Sequence, residues 1–364
     1  MKNVLFIGPY RQTDGWGHMA KEYVNMLMKC DCNLAIRPVY MSSSVDRNPN
    51  TLYNALEAVS FPYYDLIIQN VLPHMVEYYP DSKNVAIVDI ETSNLKHTAW
   101  PRYLNLLDET WVDTHVEYNT LKNDGVKNVK QIKTPFNPDK FTEVDTSAFP
   151  ELKDTFNFYF VGEYTERKNV QALLIAFARE FKRGEDVRLV IKTGIGGISP
   201  QQSLKRISEE LSQLKTTLRI YHRDKYISEY ILTDRLPEKD LWGLHSTCNA
   251  FVMPSRGESS CLPMMDAMFF GNFPIYTKNT GMDTTASYVG MSVPSRNVPV
   301  VCKNPPIQNL YTSREYWQDI DIECLQKAMR LAIKDNRKSE SRIKARIEEN
   351  YYQNLKGFWN ELIG

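Results

Sequence analysis

Ala250-Phe251-Val252-Met253-Pro254-Ser255-Arg256-Gly257-Glu258-Ser259-Ser260-Cys261-Leu262-Pro263-Met264-Met265-Asp266-Ala267-Met268 is the stretch that decides the fold of this 364-residue chain. Its first four residues form an apolar run as long as a buried parallel strand. Pro254, Ser255 and Gly257 interrupt the strand, and apolar residues at helical spacing follow until Gly271. The stretch therefore predicts a strand, a loop and a helix, the repeating unit of an α/β sheet.

The loop and the start of this helix carry groups that suit a phosphorylated sugar. Glu258 lies in the loop and Asp266 lies about one turn inside the helix. The backbone N–H groups of Ser260, Cys261 and Leu262 lie between them, at a helix end that carries unpaired donors and a partial positive charge. Carboxylates accept hydrogen bonds from sugar hydroxyls. The alternative interpretation is an ordinary strand, loop and helix whose acids are solvated.

The stretch resembles the donor-binding motif of retaining GT-B glycosyltransferases, in particular glycosyltransferase family four. The family pattern is roughly P-S-x-x-E-G-x-G-L-P-x-x-E-A-M, and Asp266 stands for its second glutamate. Ser259 and Cys261 stand where the family has glycines. The matching residues are Pro254, Ser255, Glu258, Leu262, Pro263, Ala267 and Met268.

Composition restricts the class of protein. Apolar residues make up 42% of the chain and charged residues 24%, which is typical of a globular protein large enough for two domains. The formal net charge is zero, so the basic excess expected of a protein that grips nucleic-acid phosphates is absent. No signal peptide and no apolar run of about 18 residues is recognisable, and the six cysteines show no zinc spacing. We expect a cytoplasmic protein without a transmembrane segment.

The first half of the chain predicts a parallel sheet. Strand patterns at Val4–Ile7, 34–39, 65–69 and 85–90 alternate with helical patterns. Gly15 and Gly17 follow the first strand in a glycine loop, and with Ala20 they satisfy the dinucleotide pattern G-x-G-x-x-A. That pattern normally follows its strand immediately, whereas six residues separate Gly8 from Gly15. By its resemblance to family four, the loop is expected near the donor phosphates; an NAD-type oxidoreductase is the alternative.

Glu91 is the candidate catalytic residue of this half. It follows the fourth predicted strand, and residues just beyond the carboxyl end of a parallel strand face the ligand crevice. Trp100 and the sequence Asp108-Glu109-Thr110-Trp111-Val112 come next. A subset of family four enzymes resembles this arrangement, with a glutamate after the strand, a tryptophan and then D-E-x-W-V. The alternative role for Glu91 is a helix-capping partner or a solvated acid.

The second half begins, after a polar linker at 135–153, with a strand at 156–161 and then Gly162. Family members have G-R-x-x-x-x-K-G here, and their Arg and Lys hold the donor diphosphate. Lys168 occupies the Lys position, Glu163 occupies the Arg position with reversed charge, and Arg167 is the candidate second cation. Further strands are predicted at 187–192 and 218–221, and two last helices at 321–336 and 338–362.

The patterns predict an α/β protein, and the resemblance to family four implies the GT-B fold, with two Rossmann-like domains facing a cleft and a C-terminal helix that crosses back to the first domain. The predicted limits are 1–145, 150–340 and 341–364.

The resemblance implies sugar transfer from a UDP- or GDP-sugar with retention of configuration, without a cofactor or a metal ion. The acceptor class stays open between a glycan, a lipid-linked molecule and a small molecule. A catalytically weakened sugar-nucleotide binder is a further alternative. The expected catalytic residues are Glu258 and Glu91, and the expected donor-binding residues are Gly15, Gly17, Gly162, Arg167, Lys168, Ser260, Cys261, Leu262 and Asp266.

Overall fold

The computed structural model describes residues 1–41, 45, 51–219, 227–302 and 311–364. The chain forms two units. The first unit contains Met1–Asn137 and Glu348–Gly364, and the second unit contains Pro138–Ile347. The passage between them at Asn137–Pro138 falls inside the stretch predicted as the linker.

The first unit is built on a parallel sheet of six strands in the order β2-β1-β3-β4-β5-β6. Its strands are β1 (Lys2–Gly8), β2 (Cys32–Pro38), β3 (Leu66–Gln69), β4 (Lys83–Ile87), β5 (Glu109–Val112) and β6 (Val129–Gln131). Its helices are α1 (Gly15–Leu27), α2 (Thr51–Ala58), α3 (Trp100–Leu104), α4 (His115–Asn123) and the C-terminal α11 (Tyr352–Ile363). The strands are apolar along most of their length because helices cover both faces of a parallel sheet.

The second unit repeats this architecture with the strand order β12-β11-β10-β7-β8-β9. All neighbouring strands are parallel. The strands are β7 (Phe156–Val161), β8 (Val187–Lys192), β9 (Tyr230–Leu232), β10 (Ala250–Met253), β11 (Phe273–Thr277) and β12 (Met291–Val293), with an antiparallel pair β13 (Ser295–Pro299) and β14 (Tyr316–Ile320). The helices are α5 (Val170–Glu180), α6 (Pro200–Thr217), α7 (Glu238–Thr247), α8 (Leu262–Phe269), α9 (Met282–Thr285) and α10 (Ile322–Glu348).

A polar network lies inside the core of the second unit. The Tyr159 hydroxyl is 2.7 Å from Nδ1 of His245 and accepts a hydrogen bond of 2.7 Å from the Asn272 amide. Burial lowers the pKa of His245 to about 4, so the imidazole is neutral at neutral pH. The network gives partners to the Tyr159 hydroxyl, the Asn272 amide and Nδ1 of His245, whereas Nε2 of His245 has no hydrogen-bond partner among the described residues.

The C-terminal helix lies in the first unit, as predicted. Trp359 of α11 packs against Trp111 and Tyr23, with ring centroids 6.2 and 6.0 Å apart. The Tyr352 hydroxyl donates to the Glu22 carboxylate at 2.6 Å. These contacts fix α11 on α1 and β5.

Two predicted boundaries were wrong. Helix α10 continues without a break to Glu348, where a break was predicted at 337, because buried apolar residues such as Ile343 and Ile347 extend its stripe. The chain turns instead at Tyr351, whose backbone is extended. The strand predicted at 218–221 is wrong at its start, since Leu218 caps α6 and Arg219 has a φ of +57°. Residues 220 and 221 lie outside the described residues.

Candidate functional site

The loop between β10 and α8 is fixed by contacts from distant parts of the second unit. The Gly281 N–H donates to the Glu258 carbonyl at 2.9 Å, and a Cβ on Gly281 would lie 2.5 Å from the Ser259 carbonyl oxygen. Only glycine permits this approach. The Thr285 hydroxyl donates to the Ser260 carbonyl at 2.8 Å. These contacts hold the loop at its backbone carbonyl groups.

Arg256 is a further clamp that the sequence patterns did not reveal. Its Nε lies 2.9 Å from Oδ1 of Asp319 on β14, and its Nη1 donates to the Glu166 carbonyl at 2.6 Å. Its own N–H donates to the Arg167 carbonyl at 2.7 Å. Arg256 thus joins the loop after β10 to the loop after β7. Asp319 lies too far along the chain for any local pattern to have indicated the pair.

Glu258 is the centre of the site. Its side chain is 6% exposed, and one carboxylate oxygen, Oε1, lies 2.7 Å from Nη1 of Arg167 and 2.6 Å from Nζ of Lys168. Burial alone would raise the pKa of this carboxyl group. The charges of Lys168 and Arg167 outweigh burial and hold the pKa below its ordinary value. The site therefore contains an ionised carboxylate bound by two cations, and the structure brings three predicted site residues together.

Local backbone geometry places these two cations. Asn169, which follows Lys168, has a φ of +55° and stands at the N-terminus of α5. Family members have glycine at this position, and asparagine is among the residues that tolerate left-handed backbone best. Arg167 also donates to the Gly257 carbonyl at 2.5 Å. Both cations consequently lie against the loop that carries Glu258.

Cys261 occupies the other special backbone position. It caps the N-terminus of α8 with a φ of +59°, which explains why the family pattern has a glycine there. Its carbonyl oxygen accepts from the N–H groups of Met264 and Met265 at 2.9 and 3.2 Å. The helix thus begins at Leu262, whose N–H comes before the first hydrogen bonds of the helix and faces outward from its N-terminus. Burial raises the pKa of the Cys261 thiol to about 12, so it is not a thiolate nucleophile at neutral pH.

Asp266 does not join the Glu258 cluster through an ion pair of its own; it pairs with Lys140. The Lys140 Nζ lies 2.7 Å from Oδ1 of Asp266 and stands over the rings of Phe141 and Trp242, 5.1 and 5.9 Å from their centroids. Both charged groups are largely buried. Asp266 therefore anchors the start of the second unit on α8, whatever it also does for a donor.

Gly162 and Glu163, the two residues that follow β7, each make a local contact. The Gly162 N–H donates to the Lys192 carbonyl at 3.1 Å, and a Cβ on Gly162 would lie 2.8 Å from the Phe160 ring. The Glu163 carboxylate accepts a hydrogen bond of 3.2 Å from the Gly196 N–H. The reversed charge at the family's Arg position thus lies against the glycine-rich loop at 194–197.

Gly15 and Gly17 belong to the first turn of α1 in the first unit. Asp14 caps this helix, and its Oδ1 accepts from the Gly17 N–H at 3.0 Å. A Cβ on Gly17 would lie 2.2 Å from the Gln12 carbonyl oxygen, whereas one on Gly15 would meet nothing within 4 Å. Close packing therefore requires Gly17 to be glycine and leaves Gly15 free of that constraint.

Glu91 follows a segment that a buried acid holds in place. The Ile90 N–H donates to Oε1 of Glu117 at 2.8 Å. The other oxygen of Glu117 accepts from the N–H and the hydroxyl of Thr114 at 3.0 and 2.8 Å, in the capping box of α4. Burial, and then the charges of Asp89 and Asp113, raises the pKa of Glu117. Glu91 itself is half-buried.

Neither a metal-binding cluster nor a membrane-spanning helix occurs among the described residues. Within them no group of three or more His, Cys, Asp or Glu side chains is placed to hold a metal ion. In the same part of the chain, no helix has both the length and the apolar character needed to cross a membrane.

Comparison with protein families gives one match. The model of the family described as Glycosyl transferases group 1 matches residues 143–288. This range contains Glu258, Arg167 and Lys168, together with the strands and helices that hold them. No curated protein matches the sequence.

Solved structures share the whole architecture at low identity. Anabaena HepE in complex with UDP and glucose aligns with a TM-score of 0.67 at 12% identity, covering 100% of this chain and 99% of that one. Sucrose-phosphate synthase from Thermosynechococcus elongatus aligns with a TM-score of 0.66 at 15% identity and coverage of 100% and 98%. A structure described as trehalose-6-phosphate from E. coli bound with UDP-2-fluoro glucose aligns with a TM-score of 0.64 at 10% identity, covering 99% and 98%. These likenesses confirm the predicted GT-B fold.

Proposed function

We propose that this chain is a glycosyltransferase that moves a sugar from a nucleoside-diphosphate sugar to an acceptor with retention of configuration. The observation that carries the proposal is the cluster in which one oxygen of Glu258 contacts both Arg167 and Lys168. It lies inside the range that matches the group 1 family. An ionised carboxylate beside two cations suits a ligand with sugar hydroxyls at one end and a diphosphate at the other.

The chemistry assigns a role to each group. Cleavage of the bond between the sugar and the diphosphate builds positive charge on the ring and negative charge on the leaving group. Lys168 and Arg167 neutralise the diphosphate, and the backbone N–H groups of Ser260, Cys261 and Leu262, which lead into α8, add hydrogen bonds where charge develops. Glu258 fixes the sugar ring through its hydroxyl groups and keeps it oriented for transfer.

The donor class is a UDP- or GDP-sugar. Two of the compared structures have UDP or a UDP-sugar in their descriptions, which favours UDP as the first donor to test. Gly162, Asp266, Gly15, Gly17 and Glu91 stay candidates for donor binding or catalysis. The acceptor stays open between a glycan, a lipid-linked molecule and a small molecule, and no metal ion is required by this scheme.

The test begins with binding and ends with turnover. UDP-, GDP- and ADP-sugars are compared with NAD and NADP by thermal shift, and the sugar nucleotide that binds is followed for release of the nucleoside diphosphate. The anomeric configuration of the product is then determined by NMR. A donor that binds and turns over with retention supports the proposal. Stabilisation by NAD alone would favour the oxidoreductase, and inversion would refute the retaining mechanism.

One observation keeps a second candidate open. Glu163 places a negative charge where related enzymes have a cation, and this reduces the positive charge available to a diphosphate. A protein that binds a sugar nucleotide but transfers it poorly would show a thermal shift without release of nucleoside diphosphate. Turnover at an ordinary enzymatic rate would exclude it.

A further inference from the structure

The charges around the proposed diphosphate site are closely balanced. Arg167 and Lys168 are both in contact with Glu258, which cancels one of their two positive charges. Glu163, in the same loop, adds a second negative charge. The remaining cations described around this site, Lys140 and Arg256, are paired with aspartates. A nucleoside diphosphate would thus meet little net positive charge from these side chains.

Lys192 lies close to this loop and was not among the predicted site residues. It is the last residue of β8 and is aligned with Val161 on one side and Leu232 on the other. Adjacent strands lie about 4.8 Å apart, so the backbone of Lys192 is near the start of the Gly162–Asn169 loop. Its carbonyl oxygen accepts the Gly162 N–H at 3.1 Å. It therefore lies at the carboxyl end of the sheet, where ligands bind in open α/β folds.

The ammonium group of Lys192 has no ion-pair partner in the part of the chain that the structure describes. The residue is half-buried. Burial lowers the pKa of its ammonium group, while the charge of Asp234 acts in the opposite direction. A partly buried cation without a partner is unfavourable for folding, so an anion that reaches it gains more than at an exposed lysine.

We propose that Lys192 supplies the uncommitted positive charge that binds the diphosphate of the donor. In this arrangement the cation missing from the Glu163 position at the end of β7 is replaced by one at the end of the neighbouring strand. The flexible four-carbon stem of lysine allows its ammonium group to reach a phosphate oxygen in several geometries. The inference rests on the proposed function, because it assumes that a nucleoside diphosphate binds at this edge of the sheet.

The experiment measures binding of UDP, GDP, uridine and guanosine by calorimetry. The variants are Lys192→Met, which keeps the length but removes the charge, Lys192→Gln, which keeps a polar end, and Lys192→Arg, which keeps the charge. Lys205→Met, at an exposed position on α6, is the matched control. Lys192→Met and Lys192→Gln are expected to bind the diphosphate about 10- to 100-fold more weakly, with nucleoside binding unchanged. Lys192→Arg retains most of the affinity, and Lys205→Met retains all of it.

Thermal unfolding without ligand separates binding from folding. Removing an unpaired, partly buried charge should leave the melting temperature of Lys192→Met unchanged or higher, while the stabilisation by the diphosphate shrinks. If wild type binds UDP or GDP and both neutral variants bind as tightly, the inference about Lys192 is wrong and the proposed function stands. If wild type binds neither diphosphate, the proposed function fails and this inference with it. Loss of folding in both neutral variants would make Lys192 a structural residue and overturn the inference.

Discussion

Glu117 in the first unit and Glu258 in the second unit are both buried, and their electrostatic environments are opposite. Glu117 in the first unit is 1% exposed and accepts hydrogen bonds from the backbone of Ile90 and Thr114, with Asp89 and Asp113 as charged neighbours. Glu258 in the second unit is 6% exposed and contacts two cations. The pKa of Glu117 is raised and that of Glu258 is lowered.

Burial raises the pKa of both carboxyl groups, so the difference between them comes from their charged neighbours. The N–H groups around Glu117 fix two backbone segments, which is a structural role that a neutral side chain can also fill. The cations around Glu258 keep it ionised and are themselves held in place by it. The ionised cluster of Glu258, Arg167 and Lys168 in the second unit is the site that we propose binds the donor.

The largest effect is expected from Glu258→Gln. Loss of an interaction made in the transition state at such a site costs about 2.7–4 kcal/mol, or roughly 10²- to 10³-fold in the rate of transfer. The affinity for UDP should hold or rise, because Arg167 and Lys168 keep their charge and lose a competing carboxylate. Initial rates and calorimetry on the purified variant measure both quantities.

The control for this variant is Glu209→Gln, which makes the same change at an exposed position on α6. Wild-type turnover in Glu258→Gln would contradict the assignment of Glu258. A fall of turnover that is matched by an equal fall in folded protein would make its role structural.

A smaller effect is expected from removing either cation. Lys168→Ala should weaken binding of UDP or GDP by about 10- to 100-fold, since hydrogen bonds to charged groups contribute about 1.5–3 kcal/mol. The loss should shrink as salt rises because part of the attraction is screened. Arg167→Ala should have a similar effect if Arg167 replaces the cation missing at Glu163.

The matched control for these cation variants is Arg179→Ala, at a position on α5 away from the Glu258 contacts. Unchanged affinity in Arg167→Ala would show that Lys168 serves the diphosphate without Arg167. It would leave Arg167 as a clamp on the loop that carries Glu258.

The sequence predicted those parts of the site that short-range patterns define. The strand, loop and helix around Glu258, and the placement of Lys168 before α5, follow from apolar spacing and turn residues. The positive φ angles of Cys261 and Asn169 explain why the family pattern has glycine at both positions.

Contacts between distant segments were not predictable in the same way. The pairing of Asp266 with Lys140 and the clamp between Arg256 and Asp319 join residues far apart in sequence. The direction of Glu163, toward Gly196, also depends on how two strands align. The end of α10 was missed because no glycine or proline marks it.

Glu117 and Glu258 are expected to change the pH dependence of stability in opposite directions. The lowered pKa of Glu258 adds stability that is present above its ordinary value of 4.5 and lost as pH falls below it. The raised pKa of Glu117 adds stability that is full below 4.5 and lost as pH rises through its folded value.

The measurement is the urea midpoint of wild type, Glu117→Gln and Glu258→Gln from about pH 2 to about pH 8. Relative to wild type, Glu117→Gln should gain stability as pH rises above 4.5, because a neutral amide can still accept the Ile90 N–H. Glu258→Gln should lose stability relative to wild type as pH rises toward 4.5, and the difference should then stay constant. Parallel curves for the two variants would show that their environments do not differ in charge as described.

The smallest expected effect is that of removing divalent metal, which we predict leaves transfer unchanged. A metal ion would serve the diphosphate leaving group by neutralising its charge. Lys168, Arg167 and the N-terminus of α8 offer that charge from the protein, although Glu258 offsets part of it. Glu163 is the carboxylate most able to recruit an ion beside a diphosphate, since hard cations bind both groups together. Its contact with the Gly196 N–H gives that carboxylate a partner already. Donor turnover is measured in excess EDTA, with and without added magnesium or manganese. Activity that disappears in EDTA and returns with metal would contradict the prediction, and Glu163→Gln would then test whether Glu163 is the ligand.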